Sequence, residues 1–235
     1  MHLSIIIPAF NEEQRISKTL TDYTNYFSGK DTEIIIVLNG CRDNTIGIVS
    51  DFKKEYPGLI EYIEEKKAIG KGGAVHLGFS RAEGELIGFV DADGSTEPAE
   101  FQKVVDQLGE ADGVIASRWK KGSQVINRSF PRKLISFSFL IFVKVFFWMP
   151  FTDTQCGAKI FKKQAIKNLL PSLKITNMAF DVELLYLSLK RGFKIVEVPT
   201  RWVDKSSSAM LGSFGRVIQM AFKMFFSLMS IRLKK

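Results

Sequence analysis

"GFVDADGST", residues 88–96, closes an apolar run with two carboxylates two positions apart. Two like charges that close are costly unless something positive neutralises them. The preceding "ELIGFV" reads as a buried strand, which puts Asp91 and Asp93 at its carboxyl end. Hard divalent cations such as Mg2+ or Mn2+ take carboxylate oxygens and bridge to substrate phosphates. The pair is therefore a candidate metal site carrying a diphosphate. Taken alone, Asp-x-Asp is also what a turn or a helix N-cap before Pro98 would produce.

Upstream, Leu3 to Ile7, "EIIIVLNG" (33–40) and "LIEYI" (59–63) read as strands. Between them, "NEEQRISKTLTDYTNYF" (11–27) reads as a helix with Asn11 as its N-cap, and "RDNTIGIVSDFKKEY" (42–56) as a second. Downstream, "PAEFQKVVDQLG" is a helix opened by Pro98, and "DGVIAS" (112–117) a fifth strand. Strand and helix alternate with short loops, the pattern of an α/β fold: a mostly parallel sheet flanked by helices. Ligands of such sheets bind outside the carboxyl ends of the strands. "PAFNE", "NGCRDNT" and "DADGS" should then share one edge, making Pro8, Ala9, Asn11, Glu12, Asn39, Asp91 and Ala92 candidates for ligand contact. "GKGGAVHLG" (70–78) is neither a Walker A loop nor a full dinucleotide fingerprint, because no Ser or Thr follows Lys71 and Val75 replaces the third glycine. Two readings stay open for it: a flexible turn before a helix, or backbone amides with Lys71 and Gly72 beside a nucleotide phosphate.

The second half has another character. Of 20 phenylalanines most lie after residue 129, and the chain's net charge is +8. Lys and Arg are scattered and carry no nucleic-acid-binding signature, so nucleic acid is not an expected partner. Two distant cysteines, Cys41 and Cys156, make neither a disulfide framework nor a zinc site. The N-terminal apolar stretch is too short for a signal peptide, and a cytosolic location is expected. "LISFSFLIFVKVFFWMPF" (134–151) is almost wholly apolar, with Lys144 its one charge. "NMAFDVELLYLSLKRGF" (177–193) reads as a helix and "KIVEVP" (194–199) as a strand. At the C-terminus, Arg216, Gln219, Lys223, Ser227, Ser230 and Lys234 recur at steps of three or four and form one narrow polar stripe.

"PAFNEE", "NGCRDNT", "GKGGAV", "DADG" and Ser117-Arg118 together resemble nucleotide-sugar glycosyltransferases of the GT-A type. "DADGSTEP", "NRSFPRK", "DTQCGAKIF" and "AFDVELLYL", in that order, are similar to dolichyl-phosphate β-glucosyltransferases and less closely to dolichol-phosphate mannosyltransferases. The resemblance covers residues 3 to about 210. It implies a metal-dependent enzyme that transfers a hexose, with inversion, from a nucleotide sugar to a polyprenyl or dolichyl phosphate. It implies a GT-A domain over 1–212, with a donor half to about 117 and an acceptor half from 118, followed by a basic amphipathic helix over 213–235. Pro8, Ala9, Asn11, Glu12, Asn39, Lys71, Gly72, Asp91 and Ala92 would hold the donor, and Asp91 and Asp93 the metal. Arg118, Arg128 and Arg132 would hold the acceptor phosphate, bidentate forks suiting its oxygens. Asp93, Asp181, Arg118 and Arg132 would form the catalytic set, with Asp181 positioning the acceptor or taking a proton. Leu38-Asn39 departs from the Asp-Asp of many relatives, and Ser95 stands where the mannosyltransferases have Gln. UDP-glucose is the expected donor, with GDP-mannose the alternative. A catalytically silent membrane partner subunit is the rival of another class.

Asp93 and Arg118 precede the apolar segment 134–151 and Asp181 follows it, so a single membrane crossing there would split the site. This segment and the C-terminal helix are instead expected to lie on the cytosolic membrane surface as amphipathic helices, with Phe214, Phe222, Phe225 and Phe226 on the apolar face of the second. Ordinary burial of the two segments against each other is the competing expectation.

Overall fold

The computed structural model describes residues 2–127, 130–205 and 214–233, without side chains at 130–135, 214–218, 220, 221, 232 and 233. Four β-branched, apolar runs set its centre. Strands β1 (Leu3–Ala9), β2 (Thr32–Asn39), β3 (Ile60–Glu65) and β4 (Leu86–Val90) lie parallel in the order β3-β2-β1-β4. Helices α1 (Ile16–Phe27), α2 (Thr45–Glu55) and α3 (Gly70–Arg81) make the crossovers. Ile5 and Ile7 of β1 face one core with Leu20, Phe27 and Val49, while Ile6 faces the other with Ala74, Phe79 and Phe180. Burial on both faces explains why these strands read as unbroken apolar runs instead of alternating ones.

Helix α4 (Pro98–Asp106) leads to β5 (Gly113–Ser117), which does not pair with β4. Strand β7 (Ala158–Lys162) lies between them, antiparallel to both, and β8 (Ile195–Pro199) runs parallel to β5 at the far edge. β6 (Gln124–Ile126) and β9 (Arg201–Val203) form a small parallel ladder beside the main sheet. Strands from beyond residue 117 thus complete the same sheet that the first half begins.

Helices α5 (Phe130–Phe147), α6 (Lys163–Leu169), α7 (Phe180–Lys190) and α8 (Phe214–Leu233) supply much of the second core's cover. Val143 and Phe147 of α5, and Met224 and Leu228 of α8, are buried. Phe142 meets Phe225 at 5.2 Å between ring centroids. The competing expectation therefore holds for one side of each helix. The other side is bare: Phe137, Ile141, Val145 and Trp148 along α5 and its end, and Phe222, Phe225 and Phe226 on α8, are exposed. Ser227, expected in the narrow polar stripe, accepts a hydrogen bond from Asn177 Nδ2 at 2.8 Å, so that part of the stripe meets the protein. Among the described residues no helix is long and apolar enough to cross a membrane. The side chains of Phe214, Arg216 and Lys234 lie outside the described residues.

Candidate active site

The carboxyl ends of β1, β2 and β4 come together as the parallel order requires. Helix α1 begins at Ile16, not at Asn11. Asn11 adopts a left-handed φ of 53°, and its Oδ1 accepts the Arg42 amide at 2.8 Å, which ties the β1–α1 loop to the β2–α2 loop. Two further bonds reinforce the tie: Glu12 N donates to Thr45 Oγ1 and Asn44 N to Glu13 Oε2. A cleft of about 330 Å3 opens between these loops, lined by Asn11 to Arg15, Arg42 and Asp43. Pro8 and Ala9 end β1 beside it.

Asn39 is buried, and its Oδ1 accepts the Ile69 amide at 2.7 Å. Its carbonyl thus holds the loop that leads into α3. Two of the glycines at the start of α3 itself have a packing reason. A Cβ on Gly70, itself at φ +81°, would come within 2.3 Å of the Thr176 carbonyl, and one on Gly72 within 2.5 Å of Phe180 Cβ. The Gly73 amide donates to Thr176 O at 3.1 Å. Close approach to the segment before α7 accounts for the glycines, so Gly72 brings the two halves of the chain together.

Lys71 turns to Asp91, with Nζ 2.5 Å from Oδ1. The Asp91 carboxylate rests on Gly157, where a Cβ would come within 1.9 Å of Oδ2. Ala92 is buried, its carbonyl bonded by Thr19 Oγ1 at 2.8 Å. Asp93 Oδ1 accepts the Ser95 amide at 2.9 Å. Among the described residues Asp93 has no ion pair, whereas its neighbours do: Glu12 with Arg15, Asp91 with Lys71, Asp153 with Arg118 and Asp181 with Lys159.

The carboxyl groups respond accordingly. Burial raises Asp91, but the Lys71 ammonium, helped by Lys159 and Arg118, outweighs burial and holds it below the usual carboxylate range. Burial and the charge of Asp91 push Asp93 up, against bonds from Ser95. Burial also raises Glu12, against Arg15, with Asp93 and Asp91 adding to the rise. A divalent cation would relieve this crowding of negative charge, and hard oxygen donors suit Mg2+ or Mn2+. The described residues form no group of three or more acidic, His or Cys side chains arranged to hold a metal. The set at β4 fits a metal carried on one or two carboxylates and completed by phosphate oxygens and water.

Arg118, just beyond β5, is fixed by Asp153: its backbone amide, Nε and Nη2 donate to that carboxylate at 3.0, 2.7 and 3.0 Å. Its guanidinium lies 5.3 Å from the Trp202 ring centroid. Glu197 Oε1 in turn accepts from Thr152 N, Thr152 Oγ1 and Asp153 N, each at 2.8 Å, which sets the Asp153 loop. Ser136, Phe139 and Leu140 of α5 line the space beside Arg118. Arg128 lies outside the described residues, and so does the side chain of Arg132 in α5.

Asp181 opens α7 but is only 1% exposed, with Lys159 Nζ 2.5 Å from Oδ1. Lys159 is wholly buried, also donates to Cys156 O at 2.6 Å, and sits 5.2 Å from the Phe89 ring centroid. Burial raises the Asp181 carboxyl, against the charges of Lys159 and Lys71. Burial pushes the Cys156 thiol up to about 12, so it is no nucleophile at neutral pH. Sequence reasoning assigned no role to Asp153, Gly157 or Lys159. All three lie in "DTQCGAKIF", a stretch it singled out only for resemblance.

The model of glycosyl transferase family 2 matches residues 4–170, more than half of the chain. The chain belongs to this family. The matched part of this family 2 glycosyltransferase contains every acid–base pair described above except the partner Asp181. It is similar to proteins named dolichyl-phosphate beta-glucosyltransferase. The Dictyostelium discoideum protein is 36% identical, over 94% of this chain and 72% of its own length. The Saccharomyces cerevisiae protein is 32% identical, over 88% and 69%. Among solved structures, glucosyl-3-phosphoglycerate synthase from Mycobacterium tuberculosis, in complex with Mn2+, UDP and glucosyl-3-phosphoglycerate, aligns at a TM-score of 0.72 and 16% identity, over 97% of this chain and 79% of that one. Mannosyltransferase PcManGT from Pyrobaculum calidifontis, in complex with GDP-Man and Mn2+, aligns at 0.65 and 19%, over 100% and 65%. These two likenesses bear out the GT-A-like sheet.

Proposed function

We propose that this glycosyltransferase moves glucose from UDP-glucose to a polyprenyl or dolichyl phosphate, with inversion at the sugar carbon and dependence on Mg2+ or Mn2+. The similarity to dolichyl-phosphate beta-glucosyltransferases at up to 36% identity supports the sugar and the acceptor. The observation that carries the chemistry is the fixed Arg118 fork, set between the acid pair of β4 and the apolar helix α5. An arginine held by one carboxylate keeps its remaining N–H groups oriented for phosphate oxygens. A greasy wall beside that fork suits an acceptor with an ionised head and an isoprenoid tail.

In the reaction a phosphate oxygen of the acceptor forms a bond to C1 of the sugar. The bond from C1 to the donor's diphosphate breaks, and the nucleoside diphosphate leaves with the electron pair. The bound metal would neutralise the charge that develops on that leaving group. The acceptor oxygen is ionised at neutral pH, so no proton has to be taken from it. The burial and ion pair of Asp181 agree with this. Asp181 then acts from beneath the site as the counter-charge of Lys159, not as a base touching the acceptor. Asp93 would be the main metal ligand, with Asp91 beside it. Arg15, which lines the cleft next to Asn11, and Lys71 would face the donor's phosphates.

The exposed rings of α5 and α8 would rest in the headgroup region of a membrane, on the side from which the acceptor's tail enters. Phe222, Phe225 and Phe226 are the leading contacts on α8, and Phe137, Ile141 and Trp148 those from α5.

The test is a panel of nucleotide sugars, each offered with Mn2+ and a short polyprenyl phosphate, read by mass for a hexosylated lipid phosphate. UDP-glucose should give the product, and Arg118→Ala should raise the KM for lipid phosphate while leaving that for donor nearly unchanged. Product from GDP-mannose alone would reassign the donor. No product from any donor would favour a silent partner subunit.

A further inference from the structure

Each carboxylate around Asp93 already has an internal cation, and one of these carboxylates, Asp91, is also a proposed metal ligand. Lys71 Nζ lies 2.5 Å from Asp91 Oδ1, and the two side chains are 14% and 29% exposed. Lys159, the other lysine of the site, is 0% exposed and bonds both Asp181 and the Cys156 carbonyl. The two lysines therefore differ in kind. Lys159 is locked on several sides, whereas Lys71 has Asp91 as its one ion-pair partner among the described residues.

The surroundings decide which member of the Lys71–Asp91 pair can move. Asp91 is packed in place, its carboxylate filling the space that Gly157 leaves by lacking a Cβ. The backbone of α3 is tied in place, because Gly70 and Gly72 lie too close to Thr176 and Phe180 to admit a Cβ and the Gly73 amide donates to Thr176 O. What remains is the flexible four-carbon stem of Lys71, lying near the Phe89 and Phe180 rings at 6.0 and 5.8 Å from their centroids.

We infer that Lys71 is the internal stand-in for the donor's metal: it neutralises Asp91 while the site is empty, and passes to the donor's diphosphate when a divalent cation arrives. A cation coming alone must compete with the ammonium for the same carboxylate and then face it at short range. A cation coming with a diphosphate brings oxygens that accept the three N–H donors of Lys71. Metal and nucleotide then bind as one unit, and the coupling is reciprocal: each tightens the other by the same factor. This rests on the reading that the donor is a metal-bound nucleotide sugar.

The experiment measures Mn2+ affinity by electron paramagnetic resonance and calorimetry, with and without UDP, in the wild-type chain and in Lys71→Met, Lys71→Gln and Lys71→Arg. In the wild type UDP should tighten Mn2+ binding at least about fivefold, within the usual range for coupled sites. Lys71→Met and Lys71→Gln should bind Mn2+ alone more tightly than the wild type. Their gain from UDP should shrink by a similar factor. Lys71→Arg, which keeps the positive charge, should stay closer to the wild type. Melting curves on the same samples identify any variant that has lost its fold, and either neutral variant suffices. If folded neutral variants bind Mn2+ alone no better than the wild type, or keep its full UDP dependence, Lys71 is not the stand-in and the donor reading survives. If the wild type binds no Mn2+ with UDP, the donor reading fails and the role of Lys71 fails with it.

Discussion

The strand edge around Asp91 and the outer face of α5 and α8 are completed in opposite ways. At the edge nearly every charge is answered from within: Arg118 by Asp153, Lys71 by Asp91 and Lys159 by Asp181. On the helical face, rings lie bare, Trp148 at 83% and Phe226 at 66% exposed. The first region balances itself except at one carboxylate, Asp93. The second does not balance itself in water at all. The difference matches what we propose each region takes up: a cation at the edge and a membrane surface at the helices.

The internally paired edge is disturbed most by removing one member of its most deeply buried pair, Lys159–Asp181. Lys159→Met leaves Asp181 buried without a counter-charge and should cost about 3–5 kcal/mol of stability, read by urea denaturation. Replacing both members, as Lys159→Met with Asp181→Leu, should recover most of that loss, since apolar residues tolerate the site that a lone charge does not. A single variant as stable as the wild type would show that the pair is not the anchor described.

His76, on α3 beneath the same edge, is a neutral group whose titration the fold opposes. Its Nε2 is buried with no hydrogen-bond partner among the described residues, and its ring stands edge-on to Phe180 at 6.1 Å. Burial lowers its pKa from 6.5 to about 4. Above 6.5 the ring is neutral whether the chain is folded or unfolded, so His76 adds no pH dependence there. As pH falls from 6.5 towards 4, the unfolded chain takes a proton that the fold refuses, and stability drops. His76→Leu should flatten the fall in Tm across that window relative to the wild type. Parallel curves would mean that another group controls the acid transition.

The smallest effect is expected on the bare face. Phe222→Ser with Phe226→Ser should weaken binding to vesicles carrying anionic lipid by roughly tenfold, about 1.4 kcal/mol, without changing Tm. Unchanged vesicle binding with a falling Tm would make these rings part of the fold.

How far the sequence carried follows from where the signals were local. The strands of the first half were legible because each is a β-branched run punctuated by turn residues. The carboxyl-edge rule then gathered "PAFNE", "NGCRDNT" and "DADGS" correctly. β7 was not legible as a strand, since Lys159 interrupts its apolar run and only tertiary pairing with Asp181 makes a buried lysine acceptable there. Asn11 looked like an N-cap because of its residue type, but its side chain bonds the neighbouring loop at Arg42, a partner 31 residues away. The glycines of "GKGGAV" left two readings open; they lie at the start of α3, and only the position of Thr176 and Phe180 supplies a packing reason for Gly70 and Gly72. The periodicity of α8 showed an amphipathic helix but not which side met the protein. Met224 and Leu228 face inward while the phenylalanines beside them face out.

We propose that Asp93, which has no ion-pair partner among the described residues, receives the metal that carries the donor. It is tested most directly by single-turnover transfer from UDP-glucose to a short polyprenyl phosphate in the wild type and in Asp93→Asn, at saturating Mn2+. The wild type should form glucosylated lipid phosphate. Asp93→Asn should be slower by roughly a thousandfold, several kcal/mol of lost stabilisation of the departing nucleotide, with its fold intact. Its Tm should be no lower than that of the wild type, since ionised Asp93 is held at a cost in the folded state. Transfer by Asp93→Asn at a rate near that of the wild type would contradict the account.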